Sequence, residues 1–471
     1  MHTAVSTTSA RDALFERFHD RIVVNYDLSR SLVSFQANKA EPFYSWFKYK
    51  EGFSSALVRY CLDKVASKPG YLLDPFAGSG AALFAARDIG WKTVGIELLP
   101  VGIFAMHARR SSERVDPACF QQEVSKAVRV AFASRTHGRN SFRHISITQG
   151  AFSAETEREI ARYLSYCEGE LEDQDIANLF RFACFCVLED VSFTRKDGQY
   201  LRWDHRSPRR SLAGHFDKGR IPPFTEAITE KLTVMANDIA AMRLNCPDSR
   251  RRRGCPDIRQ GSCLELLPRF KPDLMDVVFT SPPYCNRYDY TRTYALELAF
   301  LGYDGDEVKD LRQTLLSCTV ENKEKTEGVR AAYGKLNQLD RFEGAERAFY
   351  SCAALQEILS ILEDFRESGK LNNPNIVRMV RNYFYEMSFV VLEIARILRA
   401  GGHVVMVNDN VRYGGEEVPV DLILGDFAEK CGLKVRQIWT LPRGKGNSSQ
   451  QMGNHGRQEL RKCVYIWDKP A

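Results

Sequence analysis

The sequence contains no run of 18 or more apolar residues, which excludes a transmembrane helix of ordinary length. Its opening, MHTAVSTTSARDALFERFHDR, has no apolar core of the kind a secretory leader needs. The 13 cysteines are an odd number, scattered along the chain without a C-x-x-C pair; Cys184 and Cys186 lie nearest each other. That pattern argues against a disulfide frame or a zinc site and fits reduced intracellular thiols. None of the nine histidines stands at a metal-ligand spacing from a cysteine or an acid, so no metal is expected. Internal repeats and long low-complexity tracts are also missing. What remains is 471 residues of ordinary globular composition, with 44% hydrophobic and 27% charged residues. Lys and Arg number 66 against 60 Asp and Glu, a net charge of +6, which permits a polyanionic partner without requiring one.

Residues 1–40 show little pattern. Leu57, Cys61, Leu62 and Val65 have helical spacing, and Pro69-Gly70 stops it. Tyr71–Asp74 then reads as a short buried strand, PFAGSG (75–80) as a turn, Ala81–Ile89 as a small-residue helix ended by Gly90, and Lys92–Ile96 as a strand with Glu97 at its tip. Strand, glycine loop, helix, strand and acid form one right-handed crossover of a parallel sheet. Helical patches follow at Phe120–Phe132 and Asp175–Leu188. Arg195–Arg220 carries eight Lys/Arg against three Asp, and Arg250–Arg253 is a second basic run. Strands resume at Asp257–Gln260 and at Asp276–Thr280, the latter followed by Ser281-Pro282-Pro283-Tyr284. Residues 300–375 are helix-rich and charged. Arg381–Leu398 reads as a helix closed by Gly401-Gly402, His403–Asn408 as a buried strand, and Asp421–Lys430 as a helix stopped by Gly432. Two last strands, Lys434–Leu441 and Lys462–Trp467, flank the polar loop PRGKGNSSQQMGNHGRQEL. The expected class is α/β: one sheet with large helical insertions.

The loop Asp74-Pro75-Phe76-Ala77-Gly78-Ser79-Gly80 is suited to a ligand. Its glycines allow a sharp turn and a close backbone approach, and the following helix presents unpaired N–H groups. Glu97, 17 residues beyond Gly80, is placed to accept hydrogen bonds from a ribose diol. The loop has neither G-x-G-x-x-G nor the Lys-Ser/Thr of a phosphate-binding loop, so a phosphate-free adenosine fits better than a dinucleotide. A purely structural turn is the alternative on the loop alone.

The stretch VASKPGYLLDPFAGSGAALFAARDIGWKTVGIELLP, together with DVVFTSPPY, resembles the exocyclic-amino DNA methyltransferases, which methylate N4 of cytosine or N6 of adenine. The similarity covers roughly 41–110, 255–300 and 378–468, the last including RNYFYEMSFVVLEIARILRAGGHVVMV. It implies the class I S-adenosylmethionine-dependent fold, Rossmann-like with a mixed seven-stranded sheet. Carried over residue by residue, it implies cofactor contacts from Phe53, Ser54, Asp74, Pro75, Phe76, Ala77, Gly78, Ser79, Gly80, Glu97, Leu98 and Ser262. Where the family usually has Gly-Asp after the third strand, this chain has Gly261-Ser262, which removes a carboxylate near the adenine ring.

Ser281, Pro282, Pro283 and Tyr284 are then the expected catalytic residues. An exocyclic amine is a poor nucleophile because its lone pair is delocalised into the ring. Acceptors aimed at its N–H groups favour the tetrahedral amine that forms as the methyl group arrives. Ser281 Oγ and the Pro282 carbonyl would be those acceptors, the prolines fixing the backbone and Tyr284 stacking an extruded base. No cysteine follows a proline, so the covalent route of cytosine-C5 enzymes is not indicated, and Cys285 reads as a core or pocket thiol. A serine in the first position goes mostly with cytosine N4 in the family, but adenine N6 stays open, as do an RNA base and a non-catalytic DNA-binding subunit. The resemblance implies double-stranded DNA as partner, a cognate restriction endonuclease, no membrane, and a prokaryotic cytoplasm.

Two catalytic stretches, 41–110 and 255–468, are therefore expected to flank an insertion, 111–254, that reads the DNA target; 301–377 forms a second, helical insertion. Arg206, Arg209 and Arg210 in the first, and Lys445 and Asn447 in the last loop, are the expected DNA contacts. Asn408-Asp409-Asn410 either lines the same cleft or forms a capped turn.

Overall fold

The computed structural model describes residues 9–50, 52–133, 142–197, 200–209, 216–244, 254–442 and 460–471. Its strands are Ile22–Val24 (β1), Tyr71–Asp74 (β2), Lys92–Glu97 (β3), Thr194–Asp197 (β4), Tyr200–Trp203 (β5), Asp257–Gln260 (β6), Met275–Thr280 (β7), Leu398–Asp409 (β8), Val411–Tyr413 (β9), Glu416–Val418 (β10), Lys434–Thr440 (β11) and Lys462–Asp468 (β12). Eight of them form one sheet in the order β1-β11-β12-β8-β7-β2-β3-β6. β12 runs antiparallel to both neighbours, β8 and β11, and the other pairings are parallel. The sheet is mixed, as expected, but has eight strands rather than seven. The extra one, Ile22–Val24, pairs with Ile438–Thr440 at the edge and comes from the stretch that showed no pattern in sequence.

Period-two alternation divides the strand side chains between two apolar layers. Leu72, Val277, Phe279 and Val405 point into one layer. Leu73, Val278, Val404 and Met406 point into the other. Both layers are covered by helices, so these strands are apolar on both faces, as buried parallel strands are. The first layer holds the helices Ser55–Val65, Ala81–Asp88 and Pro100–Arg114. The inserted helices Pro117–Arg129, Ala154–Gly169, Gln174–Val187 and Phe224–Leu244 join it in one continuous cluster through Phe120, Tyr163, Phe180, Phe182, Phe185 and Leu232. The second layer is built on the long helix Ile376–Ile397, with Val420–Lys430, Ala10–Phe18 and the helices Thr326–Lys335, Leu339–Tyr350 and Ala353–Glu367 around it.

Gly401 and Gly402 do not close a helix. The helix ends at Ile397 and the chain enters β8 at once. The glycines lie inside that strand, where pairing with β7 jumps from Met275–Leu398 to Val277–His403. A Cβ on Gly402 would sit 2.8 Å from the Arg399 carbonyl oxygen and 3.0 Å from that of Asp276, so the bulge accepts only glycine there.

Candidate active site

Parallel strands present their ligand-binding loops at their carboxyl ends. The loops after β7, β2, β3 and β6 lie side by side in the sheet order, and they carry Ser281–Tyr284, Pro75–Gly80, Glu97–Leu98 and Gly261–Cys263. A cleft of about 800 Å³ opens among them, lined on one side by Ser281 and Pro283 and on the other by Pro75, Phe76, Ala77, Gly78, Ser79, Glu97, Leu98 and Ser262. That space includes the open mouth of the cleft.

The loop after β2 is held by carboxylates. Gly78 and Gly80 adopt left-handed φ values of +55° and +83°, which favour glycine. A Cβ on Gly78 would come within 3.0 Å of the Tyr49 ring, so the missing side chain lets Tyr49 lie against the loop. Glu97 accepts the Gly78 N–H at 2.6 Å with one oxygen and the Leu99 N–H at 2.6 Å with the other. The Leu98 N–H also pulls on this carboxylate. Burial pushes the Glu97 carboxyl up to about 7 against the pull of those N–H groups. Asp74 is fully buried and accepts from the Phe76 N–H at 3.0 Å and from Thr280 Oγ1 at 2.7 Å. Its other oxygen has no hydrogen-bond partner among the described residues, and burial raises this carboxyl to about 7 as well.

The Thr280–Asp74 bond stitches the strand that delivers Ser281 to the glycine loop. Thr280→Val is expected to lower stability by about 1–3 kcal/mol, the worth of a buried hydrogen bond to a carboxylate oxygen that would keep only the Phe76 N–H. Urea unfolding against the wild type checks this, and an unchanged midpoint would contradict it.

Over 466 residues the chain is 46% identical to the Type II methyltransferase M.AvaI of Nostoc sp. PCC 7120, covering 97% of this chain and 93% of that protein. A second M.AvaI, from Anabaena variabilis, matches to the same extent. The Type II methyltransferase M.BsoBI of Geobacillus stearothermophilus is 39% identical over 457 residues, 94% of this chain and 88% of that one. The chain belongs to the Type II methyltransferases. No family model matches it, and no solved structure does.

Methyltransferases of this kind use S-adenosylmethionine, and the cleft suits that molecule. Among the described residues its lining has no Lys, Arg or His to meet a phosphate. It has one carboxylate, Glu97, and the aromatic rings of Phe35, Tyr49, Phe53, Phe76 and Tyr290. Two adjacent acceptors fit a diol, and aromatic faces with a nearby carboxylate favour a cationic nucleoside.

The expected residues divide accordingly. Phe53 lines the cleft, whereas the Ser54 hydroxyl caps the helix Ser55–Val65, accepting the Leu57 N–H at 3.1 Å and donating to the Leu32 carbonyl at 2.6 Å. Asp74 and Gly80 shape the loop from behind the lining. Ser281 and Pro283 face the cleft, while Pro282 and Tyr284 do not line it; Ser281 Oγ donates to the Tyr284 hydroxyl at 3.4 Å. Cys285 is fully buried and its thiol is pushed well above the ordinary range by burial, which suits a core residue and not a nucleophile. Asn408, Asp409 and Asn410 are structural. They bond to the Tyr383 hydroxyl, the Lys462 ammonium and Glu417 respectively.

Several lining residues had no sequence signal. Tyr49 stacks on Tyr294 with ring centroids 5.4 Å apart. Thr314, Leu315 and Leu316 enter the lining from the second insertion. Only the aromatic density of PFYSWFKYK (42–50) could have pointed to Tyr49.

The basic segment is busy with itself. Arg206 donates to both oxygens of Asp204, at 2.7 and 2.9 Å, and to the Gly219 carbonyl at 2.7 Å. These bonds hold the Asp204 carboxyl well below the usual carboxylate range. Arg209 donates to the Ser146 and Ile147 carbonyls, both at 3.0 Å, and lies over the Trp203 ring. Ligand atoms of Asp204, His205 and Asp217 lie within 4.8 Å of one another, but Asp204 is already engaged by Arg206 and by the Lys218 N–H. Arg210, Arg250–Arg253, Lys445 and Asn447 lie outside the described residues. No described helix is long and apolar enough to cross a membrane.

Proposed function

We propose that this chain transfers a methyl group from S-adenosylmethionine to the exocyclic N4 amine of a cytosine in double-stranded DNA, as the modifying partner of a restriction endonuclease. The observation that carries the reading is the shared cleft: Ser281 and Pro283 face the same space as Gly78 and Glu97. When bound, S-adenosylmethionine supplies an electrophilic methyl carbon. Glu97 orients the ribose through the acceptor capacity its carboxylate keeps, and the left-handed Gly78 brings the loop backbone up to the cleft. Ser281 Oγ and the Pro282 carbonyl accept from the amine, which favours the tetrahedral nitrogen of the transition state. The amine's surplus proton leaves to solvent.

Target reading is assigned to the insertion 111–254. The β4–β5 hairpin supports this, because the buried Lys196–Glu297 ion pair fastens it to the helix Ala295–Phe300, just downstream of Ser281–Tyr284. A buried pair of this kind fixes geometry more than it adds stability. Arg206 and Arg209, still partly exposed, remain the proposed phosphate contacts of the described segment, and Arg210, Lys445 and Asn447 are proposed as further DNA contacts.

The deciding experiment digests DNA from cells expressing the chain and identifies the modified nucleoside by mass spectrometry. N4-methylcytosine is expected; N6-methyladenine would move the reaction to the other amine, and no modified base would end the reading. A pH dependence follows as well. Glu97 has a folded pKa of about 7 against an ordinary value of 4.5. The ligand-free fold thus holds a proton that the unfolded chain releases, and its stability falls as pH rises from 4.5 to 7. Binding of the ribose to the ionised carboxylate runs the other way. Cofactor affinity by calorimetry should weaken below pH 7, approaching about tenfold per pH unit, and level off above pH 8. A flat profile from pH 6 to 8 would contradict this.

A further inference from the structure

We infer that Thr314-Leu315-Leu316, from the second helical insertion, is a strap that closes the cofactor cleft, and that the buried Lys325–Glu386 pair positions it. The inference rests on the S-adenosylmethionine reading above and adds a binding element that lies outside the sheet.

The strap begins where the helix Gly305–Thr314 ends, with Leu315 turning into extended backbone (φ −56°, ψ 150°). All three residues line the cleft that Gly78 and Glu97 line, and Leu315 and Leu316 are buried. Leu315 belongs to one apolar layer of the sheet and Leu316 to the other, the layer that also holds Cys263 and Leu264. The strap therefore passes over the strand ends from one layer to the other.

Both of its ends are tied. On the Ser281 side, Arg312 Nε donates to Thr291 Oγ1 at 3.0 Å and pairs with Asp289 at 3.0 Å, while Cys318 Sγ donates to the Tyr288 carbonyl at 3.3 Å. On the side of β6, Lys325 Nζ donates to the Leu315 carbonyl at 2.6 Å and to both Glu386 oxygens, at 2.9 and 2.8 Å. Glu386 in turn accepts the Ser317 N–H at 2.8 Å and the Ser317 hydroxyl. One ammonium and one carboxylate thus hold the strap backbone just before and just after Leu316. Glu386 is itself fixed in the middle of the helix Ile376–Ile397. The clamp anchors the strap to the long helix on which that layer is built.

A strap of this kind fits what the cleft lacks. The turn after β6 reads Gly261-Ser262-Cys263 and offers no charged side chain to a base. Two leucines lining the same cleft supply an apolar wall instead, and they exclude water from whatever lies between. Lys325 and Glu386 touch no ligand. They are positioning residues, and their effect should appear in cofactor affinity and residence time.

The test is calorimetric and stopped-flow binding of S-adenosylmethionine and S-adenosylhomocysteine to the full chain. Lys325→Met alone leaves a buried carboxylate unpaired and could cost the fold. The double variant Lys325→Met/Glu386→Leu removes both charges and is the informative one. It should bind about tenfold more weakly or worse, chiefly through faster dissociation, while Lys325→Arg keeps wild-type binding. Wild-type affinity and dissociation in the folded double variant would overturn the inference. Hydrogen exchange on the unmodified protein gives a second reading: S-adenosylhomocysteine should slow the Leu315–Ser317 amides, and unchanged exchange would overturn it equally. Glu97→Ala, measured alongside, separates the two levels. If the wild type binds neither ligand, or Glu97→Ala binds as well as wild type, the cofactor reading has failed and the strap fails with it.

Discussion

Ser281→Ala is expected to lower the rate of methyl transfer about a hundredfold or more, with affinity for S-adenosylmethionine near that of the wild type. Ser281 stands at the carboxyl end of β7, its side chain facing the cleft, and among the described residues its hydroxyl reaches only the Tyr284 hydroxyl, at a long 3.4 Å. Little in the fold depends on it, so the substitution should leave stability within about 0.5 kcal/mol. What it removes is an acceptor for the amine. That acceptor matters most when the nitrogen turns tetrahedral and its N–H groups become more acidic, so the loss falls on the transition state and not on the bound ground state. The Pro282 carbonyl remains, which keeps some activity. Single-turnover transfer to DNA under saturating cofactor reads the effect, and calorimetry reads the affinity. Equal losses in both would mean that Ser281 holds the cofactor. Unchanged turnover would mean that the amine is received elsewhere.

The two motifs that contribute residues to the cleft were legible because each combines backbone chemistry with position. Asp74–Gly80 needs two left-handed glycines, and Ser281–Tyr284 needs a rigid strand end; few other sequences meet either demand. Most sheet strands were legible for a simpler reason: apolar runs bounded by turns mark buried parallel strands. Ile22–Val24 has the same composition but only three residues, too short to rise above its surroundings, and its place is decided by pairing with β11 at the far end of the chain. Gly401-Gly402 looked like a helix stop because glycine ends helices and also makes bulges; only the register of β8 on β7 decides between them. Ser54 shows the same ambiguity at side-chain level. A serine before a helix is an N-cap first, and its hydroxyl is spent there. The strap residues Thr314–Leu316 could not be read at all. They reach the cleft through Lys325 and Glu386, one 9–11 residues and the other 70–72 residues further along, a contact with no local signature.

Glu97→Gln should separate stability from function most sharply. Two opposing effects act on the fold. Keeping an ionised carboxylate buried at pH 8, with its pKa raised from 4.5 to about 7, costs about 3 kcal/mol, and the neutral amide removes that cost. The amide, however, can accept from only one of the two N–H groups now satisfied, those of Gly78 and Leu99. Leaving the other buried and unpaired costs about 1–3 kcal/mol. The terms nearly cancel, so the unfolding midpoint of the ligand-free protein at pH 8 should stay close to wild type. Cofactor binding has no such compensation. One of the two acceptors for the ribose becomes a donor, and the other loses its charge; hydrogen bonds to a charged acceptor are worth about 1.5–3 kcal/mol each, so affinity should fall about a hundredfold or more. The pH dependence of binding should vanish with it, because the group that titrates near 7 and touches the ligand is gone. Calorimetry at pH 6, 7 and 8 tests both statements. A variant that binds as tightly as wild type would remove Glu97 from the ribose, and one that binds weakly but keeps the pH slope would shift the titration to Asp74, the other buried carboxyl raised to about 7.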